Sequence, residues 1–204
     1  MTPADSSPNV IAFPREWKNV EILEGLRNGD PAAGQAFFDR FASRVNRLVW
    51  RLLGADREHD DIVQDVFAHA FSCIDQVRDA THLDGWVVGV TVNTVRRELR
   101  RRRLRRMFFI FGVEDEPVSR ELNPETQALA HQFYDLLGRF HPEERIVFIL
   151  CMMEGMSQPE AARACGISVS TCKRRLSRAI RRLSHYSSEW PAAQAVLEGG
   201  EEEA

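Results

Sequence analysis

Several features that would point to a membrane, a secreted scaffold or an enzyme are missing from these 204 residues. The longest apolar runs, MFFIFGV at 107–113 and IVFILCMM at 146–153, fall far short of the roughly 18 residues needed to cross a bilayer. The first residues, MTPADSSPNVIAFPREW, hold no basic segment followed by an apolar one, so no secretion signal is expected and the cytoplasm is the expected location. The four cysteines (Cys73, Cys151, Cys165, Cys172) form no CxxC pair, and the six histidines form no HExxH or mixed Cys/His spacing. Both observations argue against a disulfide framework and a zinc centre. No Ser/His/Asp set, paired carboxylates or glycine-rich phosphate loop stands out either, so neither an enzyme nor a cofactor is expected.

What is present is charge kept apart by sign. RRELRRRRLRR, from Arg96 to Arg106, has eight arginines and one glutamate. Ser168 to Ser188 has six cations and no acid. The two stretches are net +7 and +6 in a chain of net −3, which leaves −16 for the rest. Such separation suits a protein that meets a polyanion at defined places and binds something else with its acidic body. Neither stretch is expected to carry the acidic partners at i,i+4 that neutralise an ordinary surface helix.

The organisation is helical throughout. Residues 1–19, with three prolines, read as a flexible tail. VEILEGLRNGD ends in a turn signal, and the next helix repeats Phe37, Phe41, Val45, Leu48 and Leu52 before Gly54. DDIVQDVFAHAFSCI places Ile62, Val63, Val66, Phe67, Ala70, Phe71 and Ile74 on one face, opposite Asp61, Gln64, Asp65 and His69. WVVGVTV (86–92) has strand propensity, but no second strand is near to pair with it, so a helix carrying Val88, Val92, Val95 and Leu99 is expected. MFFIFGVEDEPVSRELNP reads as a linker over 107–124. A second helical block fills 125–186, and 187–204 is an acidic tail that either screens the basic helix or aids solubility. The expected fold is all-α, two small helical domains joined by a flexible linker, with 20–106 forming the first.

SQPEAARACGISVSTCKRRL has the grammar of a helix-turn-helix. Ser157 and Glu160 make a capping box, Pro159 sits in the first turn, Ala162 is small where the helices cross, and Gly166 suits a left-handed helix end. Ile167, Cys172 and Leu176 supply the inward side of the second helix, where Cys172 is expected as a small core residue. Ser170, Thr171, Lys173, Arg174, Ser177 and Arg178 then point outward, the hydroxyls and cations that groove entry needs.

DDIVQDVFAHAF, LDGWVVGVTVNTVRRELRRRR and HPEERIVFILCMMEGMSQPEAARACGISVSTCKRRLSRAIRRL, in this order and spacing, resemble the extracytoplasmic-function (group IV) sigma factors of bacterial RNA polymerase. The resemblance covers about residues 20–185. It implies a first domain (sigma region 2) that docks on the β′ clamp helices of the polymerase core through Asp61, Gln64 and Asp65. It also implies capture of the −10 element by a loop near 75–84 and by a helix starting near Trp86, with Trp86, Asn93, Arg96, Arg97, Arg100 and Arg101 at the DNA. The second domain (sigma region 4) would read the −35 element with Ser170, Thr171, Lys173, Arg174, Ser177 and Arg178 and meet the β flap. The further partners implied are promoter DNA and an anti-sigma factor, with no cofactor and no membrane insertion. MFFIFGV is either part of what an anti-sigma factor covers or packs on the first domain.

This chain departs from the family pattern at Arg97, where an acidic residue is usual, and at Ala161 and Cys172, where an aliphatic is commoner. These departures leave promoter sequence open. Trp86 is open between stacking on an unpaired base and facing the core, and His69 and His82 are expected at the surface. The competing reading is a helix-turn-helix regulator that acts without polymerase. Such a protein dimerises on a palindrome and has no reason to place arginines on its first domain. An enzyme with an appended DNA-binding domain fits worst.

Overall fold

A computed structural model describes residues 17–54, 56–108, 133–134 and 136–187, with the backbone alone from 103 to 108. The expected linker and both tails therefore lie almost entirely outside the described residues. Among the described residues, the α-helices with defined bounds are α1 Asn19–Arg27, α2 Pro31–Leu53, α3 His59–Ser72, α4 Leu83–Phe108, α5 Pro142–Phe148, α6 Gln158–Cys165 and α7 Val169–Ser187. Two 3₁₀ turns, Ile74–Gln76 and Ala80–His82, join α3 to α4, and α5 runs on as a π-helical segment, Ile149–Met153. No strand occurs among the described residues, as expected of an all-α chain.

Local chemistry accounts for the helix ends. Asp30 caps α2 by accepting from the Ala32 N–H at 2.9 Å, with Pro31 in the first turn. The five apolar positions spaced along α2 are all buried, from Phe37 to Leu52. Gly54 ends α2 at φ 82°, and a Cβ there would meet the Tyr134 ring at 3.2 Å. WVVGVTV is helix, with Val88, Val92 and Val95 buried, and the buried Thr91 hydroxyl donates to the Val87 carbonyl at 2.9 Å. The helix starts at Leu83, three residues before Trp86.

One apolar face differs from expectation. Ile62, Val66, Phe67, Ala70 and Ile74 are buried, but Phe71 is 41% exposed at the edge of the α3 stripe. It meets Phe37 at a tilt of 56° with ring centroids 5.5 Å apart, and beyond it Phe38 of α2 is 44% exposed.

The chain folds as two helical units packed against each other. Phe37, Phe41, Leu48 and Leu52 anchor the core of α1–α4, while Leu137, Ile146, Phe148 and Leu183 anchor the second unit. Truncating any of these to alanine costs about 2–5 kcal/mol. The units meet where α4 crosses α6, and a Cβ on Gly89 would sit 3.4 Å from the Ala164 carbonyl oxygen. Trp50 of α2 meets Tyr134 edge-on at 4.9 Å. Arg51 donates to the Met153 carbonyl at 2.6 Å and to Glu154 at 2.5 Å, so the end of the π segment receives a side chain from α2.

Candidate nucleic-acid interface

The first of three surfaces is the polar side of α3. Asp61, Gln64 and Asp65 are exposed there, because the opposite side of the helix is held in the core. Neither carboxylate is paired with a cation among the described residues. Gln64 and Phe71 are seven residues apart and so share one side of the helix. The exposed ring beside the acidic face is thus a feature that apolar periodicity concealed, since periodicity assigned Phe71 to the core.

The second surface begins at the turn-rich segment 73–82. Arg27 donates to the Val77 carbonyl, and the Asp79 carboxylate accepts from the Thr81 N–H at 2.9 Å. The first turn of α4 is tied back by Asn19, which donates to Asp84 at 3.0 Å, and by Arg44, 3.5 Å from the same carboxylate. His82 is exposed, as expected, and lies 3.3 Å from Asp79. His69 and Trp86 are half-buried and line a cleft between the two units, with Asn93 farther along it. Trp86 also packs on the core beneath, the second of the two alternatives left open by the sequence.

The arginines of α4 divide into three kinds. Arg97 is exposed and has no acidic partner among the described residues. Arg96 is largely covered: it donates to Asn93 at 2.8 Å and to the Cys165 carbonyl at 3.3 Å, and its Nε lies 2.8 Å from Glu143. Arg100 stays 70% exposed, with Glu143 at 3.7 Å. Arg101 and Arg102 belong to a knot. Arg101 reaches Glu98 at 2.7 Å and Glu58 at 3.3 Å; Arg102 binds Asp56, Glu98 at 2.8 Å and Glu58 at 3.2 Å. This corrects the expectation of no acidic partner at helical spacing, because Glu98 lies three and four residues before the two arginines it holds. Burial alone pushes the carboxyls of Asp56 and Glu98 up, but the hydrogen bonds from these arginines outweigh it, and both carboxyls titrate below their ordinary range.

The third surface is the helix-turn-helix. Ser157 and Glu160 form the capping box, and Gly166 adopts φ 64°, ψ 37°. The Ile167 N–H then reaches the Ala162 carbonyl at 3.0 Å, closing the helix end in the six-to-one pattern of a left-handed cap. Ser168 starts α7, its hydroxyl accepting from the Thr171 N–H at 3.2 Å. Cys172, Ala179 and Leu183 are fully buried, with Leu176 nearly so. Ser170, Lys173, Arg174, Ser177 and Arg178 are therefore turned outward, with Thr171 half-buried beside them. Lys173, Arg174 and Arg178 meet no acidic partner among the described residues, whereas Arg175 is drawn inward to Glu143 at 2.9 Å. Burial pushes the Cys165 thiol to about 11 and the Cys151 thiol to about 12, and it raises Cys172, so these sulfurs stay protonated and act as packing atoms.

Among the described residues, no helix is long and apolar enough to cross a membrane, and no cluster of metal-ligating side chains occurs. The three surfaces are an unpaired acidic face, a partly engaged basic helix and an open basic helix-turn-helix.

Comparison with known proteins gives the same division. Residues 37–105 match the family model for Sigma-70 region 2, and residues 130–183 match that for Sigma-70, region 4. The chain is 33% identical over 142 residues to the RNA polymerase sigma factor CnrH of Cupriavidus metallidurans, covering 61% of this chain and 71% of CnrH. It is 28% identical over 165 residues to the ECF RNA polymerase sigma factor SigE of Mycolicibacterium smegmatis, covering 78% of this chain and 64% of SigE. A solved structure of CnrH in complex with the cytosolic domain of CnrY shares the fold, with TM-score 0.63 and 22% identity, over 85% of this chain and 98% of that one. A helical unit matched by region 2, a helix-turn-helix unit matched by region 4 and this set of relatives together mean that the chain belongs to the sigma-70 family of RNA polymerase sigma factors, in its extracytoplasmic-function group.

Proposed function

We propose that the protein is a promoter-specificity subunit, without catalytic activity of its own, that binds RNA polymerase core in the cytoplasm and directs initiation at −10 and −35 elements. The observation that carries this reading is the outward face of α7. Lys173, Arg174 and Arg178 stand unneutralised beside Ser170, Thr171 and Ser177, on a helix whose entry is fixed by the Gly166 turn. Cations supply the sequence-independent hold on phosphates, and hydroxyls with Arg174 supply contacts to base edges of the −35 element.

Asp61, Gln64 and Asp65, with Phe71 at the margin, dock on the β′ clamp helices, an acidic face suited to a basic or polar partner. Trp86 and Asn93 hold an unstacked base of the −10 element, and Arg97, Arg100 and Arg101 grip nearby phosphates. Arg96 joins them only after it leaves Glu143, so DNA engagement by α4 requires the two units to part. The region 4 unit also meets the β flap. An anti-sigma factor masks these faces; in support, the related CnrH was solved in complex with CnrY.

The test is run-off transcription with cognate core enzyme on genome-wide templates, followed by sequencing of the start sites. Starts preceded by a shared pair of elements about two helical turns apart are expected; their absence overturns the reading.

A further inference from the structure

Past its recognition face, α7 carries a second cationic surface. Arg178, Arg181, Arg182 and His185 line an open groove with Arg139 and Tyr186. The Arg139 guanidinium lies over the Tyr186 ring, 5.5 Å from its centroid, and Arg182 reaches Glu144 at 3.0 Å. Arg178 and Arg181 are exposed and meet no acidic partner among the described residues. Ala179 and Leu183 are fully buried on the other side of the helix, which fixes these cations outward. Whatever fills the groove must bring negative charge.

The chain itself supplies such an occupant next to the groove. Immediately after Ser187, where α7 ends, residues 188–204 contain Glu189, Glu198, Glu201, Glu202 and Glu203 and no lysine, arginine or histidine. Glu201 lies fourteen steps along the chain from Ser187, a reach of about 46 Å when extended. The 19 residues of α7 span only about 29 Å. The segment can therefore return along the whole helix, and its tether gives it an effective concentration of about a millimolar.

We propose that residues 188–204 dock in the groove of Arg139, Arg178, Arg181 and Arg182 and compete there with DNA phosphates for α7. Each glutamate that meets a guanidinium forms a charge-assisted hydrogen bond, and Arg178 is common to the groove and to the outward DNA face. The competition rests on the reading of α7 as a DNA-binding helix, whereas the docking does not. Polymerase-free protein is thus kept off stray DNA, and a promoter or the polymerase displaces the segment.

Two measurements test this. The full chain carrying Glu189→Gln, Glu198→Gln, Glu201→Gln, Glu202→Gln and Glu203→Gln is titrated with a random-sequence duplex by fluorescence anisotropy. Its affinity is expected to exceed that of the unaltered chain about 10-fold at about 50 mM NaCl and by less than about 2-fold at about 400 mM. A labelled synthetic peptide of residues 188–204 is then titrated onto the neutral-tail chain, with and without Arg139→Ser and Arg181→Ser. Saturable binding that weakens about 10-fold in the double variant is expected. Absence of peptide binding, or binding indifferent to the double variant, overturns the docking. Peptide binding with unchanged DNA affinity overturns the competition. Peptide binding by a chain with no DNA affinity, with or without its glutamates, supports the docking and sinks the DNA-binding reading of α7.

Discussion

Glu143, in the first turn of α5, lies 2.8 Å from the Nε of Arg96 on α4, and so ties the second helical unit to the basic helix of the first. Its other oxygen holds Arg175 of α7 at 2.9 Å, which places one carboxylate between the two basic helices. Replacing it by Glu143→Gln, together with Arg51→Ser on the far side of the interface, is expected to part the units with each still folded. Small-angle scattering should then show a radius of gyration larger by several ångströms, and a chain of unchanged size would refute the role of these two contacts.

The acidic face of α3, proposed above to dock on the polymerase, gives a second expectation. Asp61→Arg with Gln64→Ala changes only exposed side chains, so melting temperature should move by less than about 2 °C. Affinity for polymerase core should fall at least about 10-fold in a pull-down, because a like charge is placed against a surface suited to an acidic one. Undiminished capture rejects the assignment.

At the other end of the chain, Arg174→Ala is expected to remove discrimination at the −35 element. Loss of a good base contact is worth about 1–3 kcal/mol, or roughly 10-fold or more in the ratio between intact and −35-mutated promoters. Lys173→Ala should instead weaken all promoters alike. Equal ratios for wild type and Arg174→Ala would show that this side chain reads no base.

The knot around Arg102 makes stability depend on acid. Asp56 and Glu98 titrate lower in the folded chain than in the unfolded one, so the unfolded state takes up protons first as pH falls. Their contribution is complete above about pH 5 and is lost progressively as pH falls from there through the depressed folded-state values. Melting temperature should therefore decline over that window, and the decline should be shallower in Asp56→Asn, which has already lost part of the contribution. Identical slopes for the two proteins would dismiss the knot as a source of acid sensitivity.

Arg145 offers a prediction of opposite sign. It is buried close to Tyr134, and its Nε and Nη2 meet no hydrogen-bond partner among the described residues. Burial drives its guanidinium down to about 10 and the Tyr134 hydroxyl up to about 12. A buried, uncompensated cation costs stability, so Arg145→Met should gain about 1–3 kcal/mol and raise the melting temperature by roughly 2–10 °C. A lower melting temperature would mean that the guanidinium contributes more by packing than it costs by desolvation.

Much of this was legible in the sequence because it is local. The capping box at Ser157, the left-handed turn at Gly166 and the alternation of Cys172 and Leu176 with outward cations each depend on residues within one or two helical turns. The helix over 86–92 was legible by elimination, since a lone strand has no partner. What escaped notice is long-range. Asp56 meets Arg102 across 46 residues, and Glu143 meets Arg96 across 47, so no periodicity registers either. Phe71 escaped for a different reason: apolar spacing marks the stripe a helix turns inward but not where the neighbouring helix stops covering it.

The π segment at 149–153 has its own consequence. A π turn is an α-helix with one residue added, and here the added residue aims the Met153 carbonyl and Glu154 at Arg51. Deleting a single residue from it would close the bulge into ordinary α-helix and turn the Met153 carbonyl and Glu154 away from Arg51, releasing the hold of α2 on the chain that leads into the helix-turn-helix. The segment should therefore accept changes of side chain far more readily than a change of length, which makes residue count, rather than residue identity, the property this stretch transmits to the helix-turn-helix.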